Sequence, residues 1–383
     1  MVTLQNAENA LKSVYLGTMT ELLNTRVNPL LSKIEQTSAD VWGKEIRTAA
    51  RFGINGGIGA GDEDGDLPKA FGNNYIQFVT TLKNLYGQIE ISDKAIRASK
   101  DGSGAFTDLL NAELEGLLTA SKFNLGRMLY GDGTGCLATV TSAMGSSANC
   151  DSVRNLIEGL TVDVYSSSGE KKITLRIRYI DRADKRIELD SISFTFAIGD
   201  KLYVQGSKDK EITGIAALFS GQNIYGVSKS QHPFLQAHTK NLNGALDEIV
   251  IQEAIDKLEN EAGSTVDFIA CSQDAKYSYI DYMSSYKRNI DIMELDGGFK
   301  TLSYNGMPLV YDRFVPEGSM YLLNTKAFKL HQLCDWRFLE TENGKILRQN
   351  QGKPTYTATL VKYCDLICQK PNGQAMITGI TRS

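Results

Sequence analysis

The sequence predicts an α+β protein with a small all-β unit inserted into it, and three stretches carry that prediction. From Ser103 to Gly135 the chain reads SGAFTDLLNAELEGLLTASKFNLGRMLYGDGTG, with Phe106, Leu110, Leu114, Leu117, Leu118, Leu125, Met128 and Leu129 at three- and four-residue steps. That spacing describes one amphipathic helix. Between Asp151 and Gly214, short apolar runs alternate with turn residues every 7 to 12 positions, the texture of about five strands in a barrel or sandwich. From Asn243 onward, helical and strand patterns alternate again.

Residues 5–24 carry Leu11, Tyr15, Leu16, Met19, Leu22 and Leu23 at helical spacing, and a second short helical piece is expected at Pro29–Glu35. With few aromatics to bury, residues 1–50 read as an arm that packs on something else. RFGINGGIGAGDEDGD, at Arg51–Asp66, holds six glycines and four carboxylates and predicts a mobile loop. Asn74–Ser92 is rich in strand formers, with Ile89 and Ile91 alternating with polar residues. Residues 51–95 are therefore expected to form a two-stranded projection. Such a ribbon is marginal alone in water and needs a partner surface.

The long helix has no proline, and Asp108, Glu113, Glu115, Lys122 and Arg127 are expected to fill most of its polar face. At 1.5 Å per residue, roughly 27 residues make a rod of about 40 Å. Gly131 stands where a left-handed residue would stop it. In the β unit, strands are expected at Val162–Tyr165, Ile173–Ile180, Ile187–Leu189, Phe194–Ile198 and Lys201–Val204. Beyond it come a helix around Leu246–Leu258, a buried strand at Val266–Cys271 and a helix at Asp274–Arg288. Strands follow at Leu309–Tyr311, Met320–Asn324 and Phe328–Leu333, and Tyr356–Ile380 is strand-rich.

Composition narrows the function. In 383 residues, 41 basic side chains face 45 acidic ones for a net charge of −4, with no Lys/Arg-rich tract, which argues against an avid nucleic-acid binder. No run of about 18 apolar residues exists to span a membrane. MVTLQNAENALKS lacks a basic stretch followed by an apolar core, so no signal peptide is expected. Cys136, Cys150, Cys271, Cys334, Cys364 and Cys368 have no disulfide-framework spacing and read as free thiols of a reducing cytoplasm.

Motifs for chemistry fail one after another. GGIGAG at Gly56–Gly61 lacks the third glycine of a dinucleotide fingerprint, because Asp62 stands in its place, and no Lys-Ser/Thr follows for a phosphate loop. Asp62, Glu63, Asp64 and Asp66 have the wrong spacing for a calcium loop and read as a solvated or interface charge cluster. His232, His238 and His331 are the only histidines, and no HExxH, CxxC or GxSxG occurs. No enzyme, cofactor or metal site is expected.

Taken in order, the helical arm, the glycine-rich loop ending in QFVTTLKNLYGQIEISDKAIRAS (Gln77–Ser99), the long helix and LYGDGTG (Leu129–Gly135) resemble a tailed-bacteriophage major capsid protein of the Hong Kong 97-type fold. NGMPLVYDRFVPEGSMYLLN (Asn305–Asn324) is similar to that family's axial-domain strands. The resemblance implies an N-terminal arm (1–50), an extended loop lying over a neighbouring subunit (51–95) and a peripheral domain with the long spine helix (96–150). An inserted β domain (151–214), an axial domain (215–333) and the return strands of the peripheral domain (334–383) complete it.

Such a protein builds an icosahedral shell from pentamers and hexamers in the virion and encloses double-stranded DNA without sequence specificity. It is made in the host bacterial cytoplasm with the help of a portal. No long coiled N-terminal segment is present to act as built-in scaffold, so a separate scaffolding protein is expected. The near-neutral charge suits a shell lining that must release duplex DNA. The founding member carries a Lys–Asn isopeptide cross-link; Lys69 and Asn350 lie in the corresponding regions, but no local motif supports that bond here.

An encapsulin-type compartment around an enzyme cargo is the alternative, and an enzyme with a β accessory domain a third class. In the family fold the loop of one subunit reaches the peripheral domain of the next. Asp62, Glu63, Asp64 and Asp66 would then meet Lys345, Arg348, Lys353 and Lys362 of a neighbour.

Overall fold

A computed structural model describes residues 28–94, 103–191, 193–285, 292–295, 299–340 and 344–382. The helix expected at residues 5–24 lies outside them. In place of a helical piece at Pro29–Glu35 there is one 3-10 turn, Leu31–Lys33, running into β1 (Glu35–Thr37). The Asn28 carboxamide accepts from Leu30 N and Leu31 N at 3.0 and 3.2 Å, which favours a single turn over a continued helix.

β2 (Val41–Trp42) turns into β3 (Glu45–Phe52), which pairs with β4 (Asn74–Thr81) over eight residues, from Glu45↔Thr81 to Phe52↔Asn74. Residues 53–73 cap this hairpin with no strand of their own. β5 (Lys83–Ser92) then leaves it and pairs over ten residues with β22 (Thr355–Cys368), from Lys83↔Cys364 to Ser92↔Thr355. The expected ribbon at 51–95 is thus corrected: the hairpin spans 45–81, and the second apolar run joins a sheet. The cause is burial. Leu85, Ile89 and Ile91 are all on one face of β5 and sit in the main core with the long helix.

That helix, α1 (Ser103–Leu129), matches its expected limits. Leu114, Leu118, Leu125, Met128 and Leu129 are buried, as the spacing requires. Gly131 is not left-handed; the positive-φ glycines of the turn that follows the helix are Gly133 and Gly135, at 88° and 78°. Arg127 is also corrected, because it is buried and paired with Glu211 rather than solvated on the polar face.

The β unit is larger than its sequence texture suggests. β6 (Cys136–Met144), β7 (Ser147–Cys150), β8 (Thr161–Tyr165), β9 (Lys171–Asp181), β10 (Arg186–Leu189) and β11 (Lys201–Val204) close in the order β10-β7-β6-β11-β8-β9. It therefore begins at Cys136 and not at Asp151. The strand expected at Phe194–Ile198 is irregular backbone instead, tied by Phe196 N to Gly145 O at 3.0 Å. Leu156, Val162, Val164, Ile187 and Leu202 belong to a core of the barrel's own.

After the barrel come α2 (Ala216–Phe219), β12 (Asn223–Ile224) and β13 (Val227–Ser228). β14 (His238–Gly244), α3 (Glu248–Ala262), β15 (Phe268–Cys271) and α4 (Gln273–Ser285) continue the chain. Asp247 caps α3 by accepting from Val250 N, and left-handed Gly263 ends it. β16 (Ile292–Leu295), β17 (Phe299–Tyr304), β18 (Met307–Tyr311), β19 (Met320–Leu323), β20 (Phe328–Phe338) and β21 (Arg348–Gln349) precede β22, and β23 (Ala375–Ile380) is the last strand.

A seven-stranded sheet has the order β14-β23-β19-β15-β18-β17-β16, and a five-stranded sheet is built on β1-β20-β22-β21 with β5 beside β22. Two assignments change. β20 belongs to the second sheet, although the sequence places Phe328–Leu333 with the axial strands; β23 belongs to the first, although the sequence places it with the return strands.

Strand alternation joins the layers. In β15 and β19, Ile269, Cys271, Met320 and Leu322 face the core under α3 and α4. Their alternates Phe268, Ala270, Tyr321 and Leu323 face the core shared with α1 and the five-stranded sheet. A strand apolar at every position is the mark of burial on both faces.

Candidate functional site

Thiol chemistry is closed off where the cysteines are deep. Burial pushes Cys150, Cys271, Cys364 and Cys368 up to about 12, so none of these four is a thiolate near neutral pH. Among the described residues no three His, Cys, Asp or Glu side chains gather to hold a metal ion, and no helix is long and apolar enough to cross a membrane. What the surface does offer is contact area.

The hairpin tip is the most conspicuous part. Asp62, Glu63, Asp64 and Asp66 are exposed there. Ile54, Ile58, Leu67, Phe71 and Tyr75, in or beside the same tip, are 61–90% exposed. Apolar side chains so gathered on a projection mark a surface to be covered. The sequence reading of this loop weighs its glycines and acids and passes over these five. Their signal is present nonetheless, as large apolar residues in a stretch otherwise too polar to need them.

Lys345, Arg348 and Lys353 are likewise exposed. They lie beside β21, where Ser92 at the end of β5 pairs with Thr355. The tip precedes residue 74 and the basic segment flanks residue 92, so the two stand at opposite ends of the β4–β5 run. Among the described residues no ion pair joins them. Lys362 is corrected. Its side chain is fully buried and its ammonium donates to Asp335 Oδ1 at 2.6 Å and Gln332 Oε1 at 2.7 Å, so it is unavailable to a neighbour.

Beside the basic segment, Asn350 Nδ2 donates to Glu90 Oε1 at 3.0 Å and to Thr355 Oγ1 at 2.9 Å. Its Oδ1 accepts from Thr357 Oγ1 at 2.8 Å. The Thr355 hydroxyl is the largest influence on the Glu90 carboxyl and holds it below its ordinary value; burial opposes it, and Asn350 and the Lys353 charge add to the lowering.

The root of the hairpin is fixed by two buried residues. Tyr225, left-handed at φ 48°, accepts from Val79 N at its carbonyl (3.1 Å) and packs its ring 5.2 Å from that of Phe78. Its hydroxyl donates to Leu366 O at 3.2 Å and accepts from Cys368 N at 2.9 Å. Asp365 of β22 is fully buried and accepts from Thr80 Oγ1 at 2.8 Å. Burial pushes its carboxyl up, opposed by hydrogen bonds from Thr213 N, Thr80 and Leu366 N and by the Lys83 charge.

One long helix, a seven-stranded and a five-stranded sheet and a closed six-stranded barrel give the chain a fold that solved phage capsid structures share. Among solved structures, the chain is similar to the capsid asymmetric unit of cyanophage A-1(L), with a TM-score of 0.54 and 14% identity over 95% of this chain and 93% of that one. It is also similar to the holo-SrpI encapsulin complex of Synechococcus elongatus PCC 7942, at 0.49 and 12% over 93% and 89% of the two chains. A structure of Mycobacterium phage Bobi scores 0.46 at 8% identity over 99% and 98%. No protein-family profile and no curated protein sequence matches the chain.

Proposed function

We propose that this chain is the major capsid protein of a tailed bacteriophage, assembling into an icosahedral shell around double-stranded DNA. The observation that carries the reading is the hairpin tip, whose apolar and acidic side chains find no cover among the described residues. A shell-building fold gives such a tip a place to go, onto a neighbouring copy. In this reading the hairpin at 45–81 is the extended loop. The five-stranded sheet with α1 is the peripheral domain, and the seven-stranded sheet is the axial domain. The tip carboxylates of one copy meet Lys345, Arg348 and Lys353 of the next. Copies meet in pentamers and hexamers, a separate scaffolding protein and a portal guide closure, and the location is the virion capsid.

Light scattering of the purified chain at micromolar concentration, with and without co-expressed scaffold, tests the proposal. Capsomers or closed shells are expected, and negative-stain microscopy should show them. A strictly monomeric chain under both conditions overturns it, and shells enclosing an enzyme in place of DNA point to the encapsulin-type alternative.

A further inference from the structure

The barrel and the hairpin are separate sheets, and a single side chain bonds to the root of both. Asp365 is fully buried on β22. Its Oδ1 accepts from Thr213 N at 2.6 Å and Leu366 N at 3.0 Å, and its Oδ2 from Thr80 Oγ1 at 2.8 Å and Thr213 Oγ1 at 3.2 Å. Thr80 belongs to the hairpin strand β4. Thr213 lies in the segment by which the chain returns from the barrel. One carboxylate oxygen is therefore shared between hairpin and barrel exit.

The exit segment has little freedom of its own. Glu211 takes both arms of the Arg127 guanidinium, at 2.6 and 2.8 Å, with both side chains buried. Ile215 N donates to Leu129 O at 2.8 Å, and a Cβ on Gly214 would collide with the backbone oxygens of Met128 and Gly131. The hairpin root is equally fixed through Tyr225. A carboxylate moves as a plane, so turning it toward one partner withdraws it from the other. Neither shift can be absorbed by a loose neighbour.

We infer that Asp365 is a coupling point that makes the set of the hairpin depend on the set of the barrel. A change of angle at one projection is then felt at the other through a shared hydrogen-bonded carboxylate. The coupling needs no contact between the projections themselves. The competing account is that Asp365 satisfies each segment separately and transmits nothing.

Hydrogen–deuterium exchange on the full unassembled chain separates the two. Thr80→Val removes one donor and leaves the carboxylate. Coupling predicts faster exchange not only in 74–81 but also in 209–215, by about tenfold or more, the factor expected for one hydrogen bond to a charged acceptor. Thr213→Val, which keeps its backbone N–H, should do the reverse. The double variant should add little at either distant segment. Asp365→Asn should loosen both segments at once; should it fail to fold, the two threonine variants still decide. If each variant speeds exchange only in its own segment and the double variant is additive, the coupling is disproved.

Discussion

Tyr225 shows how much one hydroxyl can hold. Tyr225→Phe leaves Leu366 O and Cys368 N without their partner in a buried setting. Stranding such groups costs about 1–3 kcal/mol. The urea midpoint of the unassembled chain should fall while the slope stays the same. Arg127 and Glu211 are a harsher case, because both side chains are buried, at 4% and 3% exposure. Arg127→Met alone should destabilise by about 3–5 kcal/mol, and adding Glu211→Leu should recover most of that loss. If the double variant is no better than the single, the pair is not the source of the cost. Neither residue was legible beforehand. Arg127 falls on the polar stripe of a good amphipathic helix, and only the return of the chain 84 residues later supplies its carboxylate. Lys362 hides for the same reason, since its partner Asp335 sits 27 residues away on the adjoining strand.

At the scale of elements, the barrel is the clearest unit. Its six strands close on one another and enclose a core of their own. Residues 133–214 expressed alone should give dispersed amide signals and one cooperative unfolding transition; a disordered spectrum would mean that the barrel depends on its host. Its stability should also carry an acid limb. Burial would raise the Asp163 carboxyl, but Lys171, the Thr174 hydroxyl and Gly206 N together hold it below its ordinary value of 3.8. A depressed value gives stability that is present above that pH and is lost as the pH falls through the folded value. Asp163→Asn should flatten this limb in a pH series of melts. Strand β9 was legible because its apolar residues alternate, and α1 because its repeat runs without a break. The first two barrel strands were not, since CLATVTSAM follows a helix stop and has no neighbouring turn rhythm to betray it. The partner of β5 was hidden by distance, as nothing local tells an edge at residue 83 that it will meet Cys364.

For the whole molecule, the order of parts was legible and their contacts were not, because a contact between distant strands depends on topology that no local pattern encodes. The contacts between copies lie one step further off. Replacing Asp62, Glu63, Asp64 and Asp66 together by Asn or Gln should lower assembly yield and reduce its sensitivity to salt. Each exposed pair contributes only about 0.2–1 kcal/mol, and salt at 0.1 M screens such charges beyond about 10 Å. In the proposed shell the contact would repeat many times, which makes a small term measurable. Leu67→Ser with Phe71→Ser tests the apolar half of the same tip, and here the loss of assembly should persist at high salt. Unchanged yield and salt response in the acidic variant would leave its carboxylates as plain solvated charge.

The neck of the barrel has a practical side. Cys136 on the entering strand is paired with Tyr203 on the leaving one, so the chain departs and comes back at almost the same point. A module tethered this way is a cassette. It can be excised and bridged by a short turn, or exchanged for a foreign domain whose ends lie equally close, while the clamped exit at residues 211–215 is left in place. In the proposed shell, every subunit would then carry one copy of the guest.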